Sequence, residues 1–316
     1  MNNVFTPFLL PALLLPALFW PQGPETAPAL RSAGIVDIAV PAAQAGSWKT
    51  VTAIKTQSVD LHQLTKAATP TVNFRTSNAS ATREPWVDSN GWRFLRQPGG
   101  RFHYDVPGKA AALAAAEAYA YGVQAVVKTD EAGLKPFGEM IRFLQSLPPG
   151  DAMPALFNFE YVDDGSPAAG EFMNLLVRTN LLFRVVKEPG SSGGMTVALG
   201  SAEYPKSEAG NPKLLAEKVR AHVTDEKRLL RVYGSDVVIG RLVGSEAHTR
   251  LFLLNYGAGN GGVDGIRVRV LGNFARQQMT QFQAPGTTLL DYKTGSGATE
   301  FTLAHLPVFA VIDLQR

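Results

Sequence analysis

The segment Glu84-Pro85-Trp86-Val87-Asp88 sets two carboxylates around a large aromatic ring, beside a run that reads as a strand. An indole offers an apolar face for the C–H face of a sugar ring while carboxylates accept from its hydroxyls. Two carboxylates facing one cleft are also the machinery that cleaves a glycosidic bond. The structural alternative for the same residues is that Trp86 and Trp92 anchor a core and Asp88 opens an Asp-Ser-Asn-Gly turn. A second acidic set, Glu160, Asp163 and Asp164 in NFEYVDDGSP, falls at the C-terminal end of one strand and just before a helix. Open α/β sheets bind ligands at that edge, although acids at such a position also stabilise a helix N-terminus and Asp-Gly makes a turn. His103 and Asp105, at the end of a further strand, are candidates to line the same crevice as Asp88. Glu84, Asp88 and Glu160 are therefore the candidate catalytic acids. Trp86, Trp92, His103, Asp105, Asp163 and Asp164 are the candidate ligand contacts.

Other chemistries are poorly represented. The chain has no cysteine, which removes disulfides, thiolate metal sites and cysteine nucleophiles. Its five histidines are isolated, none with a second histidine at ligand spacing, so no metal and no cofactor is expected. There is no P-loop, dinucleotide glycine fingerprint, HExxH or GxSxG. A net charge of +3 without any Lys/Arg run gives no reason to expect nucleic acid, and Arg267 and Arg269 alternate with Ile266, Val268 and Val270 as the wet face of a strand.

The elements that must position these residues fall into three stretches. Phe8 to Trp20 is an uncharged apolar run, too short for a comfortable membrane span and suited to a signal-peptide core, although MNNVFT supplies no Lys or Arg before it. Small-x-small patterns at Ala27-Pro28-Ala29 and Ala43-Gln44-Ala45 offer cleavage after Ala29 or Ala45, so residues 1–29 are expected to be a leader and the protein periplasmic or extracellular. Residues 30–150 read as strands at 35–40 and 72–75, a helix over 59–68, strands at 92–96 and 101–106, an Ala-rich helix 109–121 capped by Gly122, a strand at 125–128 and a helix at 134–147. Residues 151–226 form another α/β unit: strands at 156–162, 182–186 and 195–199, with helices opened by Ser166-Pro167 and Asn211-Pro212. From 227 to 316 short runs alternate with glycine-rich turns about every ten residues, which argues for an antiparallel β-sandwich.

The order TREPWVDSNGWRFLR, GKAAALAAAEAYAYGVQAVVKTD, FNFEYVDDGSPAAGEFMNLL, then RLFLLNY and GIRVRVLG resembles secreted glycoside-hydrolase-like proteins of the family-42 β-galactosidase kind. The resemblance implies a (β/α)-barrel end, a flavodoxin- or amidotransferase-like domain without its cysteine nucleophile, and a C-terminal β-domain. A full barrel takes roughly 250 residues, and about 120 lie between residue 30 and the boundary near Pro149, so at most half a barrel is expected. Such a barrel end implies a carbohydrate partner and favours a non-catalytic glycan-binding or assembly module. The alternatives are an active glycosidase using Glu84 with Asp88 or Glu160, and a structural periplasmic protein without a small ligand. A homo-oligomer through the α/β domain is a further expectation.

Overall fold

The computed structural model describes residues 15–74, 85–148, 153–190 and 194–316. The first part runs β1 (Ala17–Phe19), α1 (Ala27–Ser32), β2 (Asp37–Val40), α2 (Ala45–Trp48), β3 (Lys55–Ser58), β4 (Thr65–Lys66), a hairpin of β5 (Thr71–Phe74) and β6 (Pro85–Asp88), α3 (Gly91–Arg96), β7 (Arg101–Val106), α4 (Gly108–Tyr121), β8 (Gln124–Thr129) and α5 (Leu134–Ser146). Six of these strands form one all-parallel sheet in the order β3-β2-β1-β8-β7-β4. Its two outermost strands are consecutive in the chain. In a flat sheet they would stand about 24 Å apart, five strand spacings. The linker, residues 59–64, reaches roughly that distance only if fully extended, and half of it is a 3-10 turn, Leu61–Gln63. The sheet is therefore curled, a partial (β/α)-barrel whose seam lies between β3 and β4.

Side-chain alternation agrees. Leu18, Ile38, Phe102, Tyr104 and Val127 point outward into the main core beneath the helices. Phe19, Ala39, Val59, Leu64 and Val126, from both halves of the sheet and the linker, form a separate small cluster on the other face. The partial barrel holds six strands rather than the four or so that half a barrel would give, because the strands are only two to six residues long.

β1 falls within the segment read as a leader. The second half of the apolar run is a strand hydrogen-bonded between β2 and β8, with Leu18 and Trp20 fully buried. Cleavage after Ala29 or Ala45 would remove a central strand of the sheet. A parallel strand covered on both faces reads as an uninterrupted apolar run, which by pattern alone is also what a leader looks like. Two expectations change. Residues 59–68 contain the 3-10 turn and β4 instead of a helix, and Trp92–Arg96 lies in helix α3 instead of a strand.

The next part comprises β9 (Phe159–Val162), α6 (Pro167–Arg178), β10 (Phe183–Val186), β11 (Thr196–Ala198) and α7 (Pro212–Val223), with a three-stranded parallel sheet ordered β10-β9-β11. Ser166 caps α6 by accepting from Ala169 N–H, with Pro167 at the first turn. One hydrophobic core joins this unit to the first: Leu18, Phe94 and Leu113 belong to the same cluster as Tyr161, Phe172, Leu176 and Val219.

The last part is an eight-stranded antiparallel sandwich, β12 (Leu230–Tyr233) to β19 (Phe309–Gln315). β13 (Val238–Gly244), β14 (His248–Asn255), β15 (Val263–Leu271), β16 (Arg276–Gln281), β17 (Leu290–Gly295) and β18 (Ala298–Leu306) complete it, in two sheets, β12-β15-β18-β17 and β13-β14-β19-β16. The second sheet is covered twice. Leu251, Leu253, Ala310 and Ile312 face the other sheet, while Phe252, Leu254, Phe309 and Val311 join the α/β core. Edge-on ring contacts of Tyr119 on Phe252 and Phe143 on Phe309, each at 6.1 Å, seat it on α4 and α5. This double burial explains why LFLL and FAVI run without polar interruption. The fold is thus a parallel α/β region with partial-barrel curl followed by an antiparallel all-β domain.

Candidate functional site

The chemistry-bearing edge of a (β/α)-barrel is the one at the C-terminal ends of its strands. Here β7 and β8 bring three charged or titratable groups to it. His103 pairs in register with Val126, and Asp105 with Lys128. Because Val126 belongs to the inner cluster, these side chains share the concave face of the curled sheet. The Lys128 ammonium lies 2.7 Å from the Asp105 carboxylate, both groups partly exposed. Lys66 on β4 is the register partner of His103. Burial lowers the His103 pKa below its ordinary value; the backbone hydrogen bond at Leu64 acts in the opposite direction, and the Lys66 charge adds to the lowering. His103 Nδ1 is a buried atom without a hydrogen-bond partner among the described residues. The edge therefore presents a neutral imidazole beside an ion pair.

The other sequence candidates lie elsewhere. Glu84 falls outside the described residues. Trp86, on β6, is half-buried with the Arg178 guanidinium 3.9 Å above its ring, and Asp88 at the end of that strand accepts from the Asn73 amide. Trp92 faces α6: a Cβ on Gly170 would come within 2.9 Å of its ring, and the guanidinium groups of Arg93 and Arg96 lie 4.4 and 5.2 Å from its centre. Glu160 is the second residue of β9, Asp163 and Asp164 follow its end, and each is held by different partners. Glu160 is buried, ion-paired with Arg184 and bonded by Gly190 N–H at 2.9 Å, and the Arg184 hydrogen bond pulls its pKa below the ordinary value. Asp163 accepts from Arg96 at 2.8 Å. The Ser166 side chain first, and then its N–H at 2.9 Å, lower the Asp164 pKa, with Lys206 3.3 Å away. The Arg96–Asp163 pair is the link between the α3 segment carrying Trp92 and the β9 acids.

Sequence reasoning missed Glu117. It sits in α4, where every residue from Ala110 to Tyr121 is buried, and is itself fully buried. Its carboxylate accepts four hydrogen bonds: from Asn90 N–H at 2.7 Å, Asn90 Nδ2 at 2.8 Å, the Tyr104 hydroxyl at 2.7 Å and the Tyr256 hydroxyl at 2.6 Å. Burial is the largest influence on it and raises its pKa. The four donors come from the start of α3, from β7 and from the sandwich, so one carboxylate ties the barrel part to the β-domain. Its signal in the sequence is a lone acid inside an Ala-rich, otherwise apolar helix, which cannot be buried without partners.

Among the described residues no group of three or more His, Asp or Glu side chains is placed to hold a metal ion, and no helix is long and apolar enough to cross a membrane.

Comparison with known proteins gives a likeness of fold. No family model matches the sequence, and no curated protein matches it. Among solved structures, the α-L-fucosidase isoenzyme 2 of Paenibacillus thiaminolyticus superposes with a TM-score of 0.54 at 10% identity, over 71% of this chain and 62% of that one. The cold-adapted β-galactosidase of Rahnella sp. R3 gives 0.44 at 10% identity, over 89% of this chain and 63% of that one. The exo-carrageenase of Bacteroides ovatus gives 0.39 at 8%, over 83% and 48%. The likeness is one of fold alone, and the chain spans less than two thirds of the length of these structures.

Proposed function

We propose that the protein is a carbohydrate-associated module that binds glycan on a glycoside-hydrolase-like scaffold without cleaving it. The observation that carries this reading is the state of the candidate acids. Glycoside hydrolysis by paired carboxylates needs a general acid whose pKa is raised, facing a second carboxylate across one cleft. Asp105 is paired with Lys128, Glu160 with Arg184 and Asp163 with Arg96, and Asp164 is bonded to Ser166 N–H. For Glu160 and Asp164 these partners favour the charged form, the reverse of what a general acid requires. The described carboxylate with a raised pKa, Glu117, is sealed in the core behind four donors. The fold likeness to the fucosidase supports a carbohydrate partner and is independent of catalysis.

The test combines a glycan array with hydrolysis of nitrophenyl glycosides by the full chain. The expected result is retention of at least one glycan class and no nitrophenol release above the buffer control. Release that disappears in Asp88→Asn or Glu160→Gln would establish a glycosidase instead. No retention of any glycan would favour a structural protein.

A further inference from the structure

A cleft of about 730 Å³ opens where the chain leading into β9 meets the loop end of the sandwich. None of the residues singled out in the sequence lines it. Its floor is apolar: Leu156, Leu229, Leu271 and Phe274. Ser245, Glu246, Asn273 and Arg316 supply its polar groups, and Phe157 its aromatic wall. This size is in the range of small-molecule sites, roughly 300–1,000 Å³, and a mostly apolar lining with a few polar groups is their usual composition.

Two features separate this cleft from a packing defect. Phe157 is braced by a cation on its ring. The Arg184 guanidinium lies 4.4 Å from the centre of its ring, and Arg184 is in turn paired with the buried Glu160, which also accepts from Gly190 N–H. A ring so braced gives a contact surface at little entropic cost, since its orientation is set before anything binds. Two of the polar groups, by contrast, are held loosely or not at all. Asn273 is exposed and its amide has no partner among the described residues, and Glu246 is 88% exposed in a loose 3.4 Å pair with Arg316. A ligand that puts an apolar face on a ring and hydroxyls toward an amide and a carboxylate matches this set. A phosphate or other polyanion fits less well, because the cation in the lining, Arg316, is already paired with Glu246.

We infer that this cleft is the glycan-binding site, with Phe157 as the stacking platform, Asn273 and Glu246 as hydroxyl partners, and Arg184 and Glu160 as positioning residues for the ring. The inference rests on the carbohydrate reading above and places its ligand, a neutral chain of one to three sugar rings, between the α/β body and the sandwich. It also gives Glu160 a use: the acid does not reach the ligand, and acts by holding Arg184 against Phe157.

The experiment is affinity electrophoresis of the full chain in gels containing soluble β-glucan, xylan or arabinogalactan, with calorimetry on whichever retards it. Phe157→Ala is expected to weaken binding tenfold or more, Asn273→Ala three- to tenfold, and Glu160→Gln by a smaller factor that Glu160→Asp partly restores. Lys128→Ala, on the barrel edge, is expected to leave it unchanged. Asn273 is exposed and unbonded, so its variant folds even where Phe157→Ala fails to. If a glycan binds and both Phe157→Ala and Asn273→Ala keep wild-type affinity while Lys128→Ala loses it, the cleft is not the site, and the carbohydrate reading stands with the site on the sheet edge. If no polysaccharide retards the wild-type chain, both readings fall.

Discussion

Replacing Glu117 is expected to break the joint between the partial barrel and the β-domain. Glu117→Ala strands four buried donors: the Asn90 N–H, the Asn90 amide and the hydroxyls of Tyr104 and Tyr256. An unsatisfied buried polar group costs about 1–3 kcal/mol. The two hydroxyls can turn toward other acceptors and the four effects are not additive, so a loss of about 4–6 kcal/mol is expected, cavity included. That is a large part of the roughly 5–15 kcal/mol that holds most folds together. Glu117→Gln keeps the volume but brings an –NH2 against donors. Oε1 serves Asn90 N–H and Tyr256, and Oε2 serves the Asn90 amide and Tyr104. Either orientation of the new amide therefore opposes one Asn90 donor that cannot become an acceptor, at a cost of about 2–3 kcal/mol.

The pH dependence has a definite sign. Burial raises the folded pKa of Glu117 above its ordinary value of 4.5. A carboxyl with a raised folded pKa contributes stability that is fully present below the unfolded value and is lost as pH climbs through the folded one. The glutamine variant has no such loss, so its deficit relative to wild type should narrow as pH rises from 4 toward 8. Urea unfolding followed by circular dichroism measures this. Variants within about 0.5 kcal/mol of wild type, or a deficit that widens with pH, would refute the reasoning.

Three further outcomes are expected. Deleting residues 1–29 removes β1, and the shortened chain should lose cooperative thermal unfolding; a sharp transition at the wild-type temperature would contradict the role of Ala17–Phe19 in the sheet. Gly138→Ala should destabilise by about 1–3 kcal/mol or more, because the added Cβ would stand 1.9 Å from the Ala33 carbonyl oxygen, where α5 crosses the end of α1; an unchanged melting temperature would show that this contact is not close. Asp225, bonded first by Arg220 and then by Arg228, has its pKa lowered to about 2 from 3.8. Its contribution is present above 3.8 and lost as pH falls toward 2, so Asp225→Asn should lower stability at pH 7 and converge with wild type at the acid end of a pH series.

What the sequence made legible was whatever rested on long or repeated pattern. Leu134, Phe137, Ile141 and Leu144 at helical spacing mark α5, the Ser166-Pro167 and Asn211-Pro212 devices mark α6 and α7, and the ten-residue spacing of short runs marks the sandwich. Short elements were decided by tertiary contacts instead. Gly91–Arg96 carries only six residues, too few to show a period, and it becomes a helix where Asn90 is pinned by Glu117 and by the backbone of Ala68. Ala17–Phe19, inside the leader-like run, is a strand because sheet neighbours on both sides complete it, and no local signal marks it as one. For the candidate site, residue types suggested acids and tryptophans, but their partners were invisible: only the fold places Arg178 over Trp86, Arg96 beside Asp163 and Arg184 against Glu160. The cleft around Phe157 gathers residues from 155 to 316, with no motif spanning them.

The central claim, binding without cleavage on this scaffold, is tested most directly by incubating the full chain with the polysaccharide that retards it and measuring bound protein and released reducing ends in one sample. The account predicts saturable binding, weakened in Phe157→Ala, with reducing ends at the level of the protein-free control. Reducing ends that accumulate with time, in proportion to protein, and that vanish in Asp88→Asn or Glu160→Gln, would contradict it.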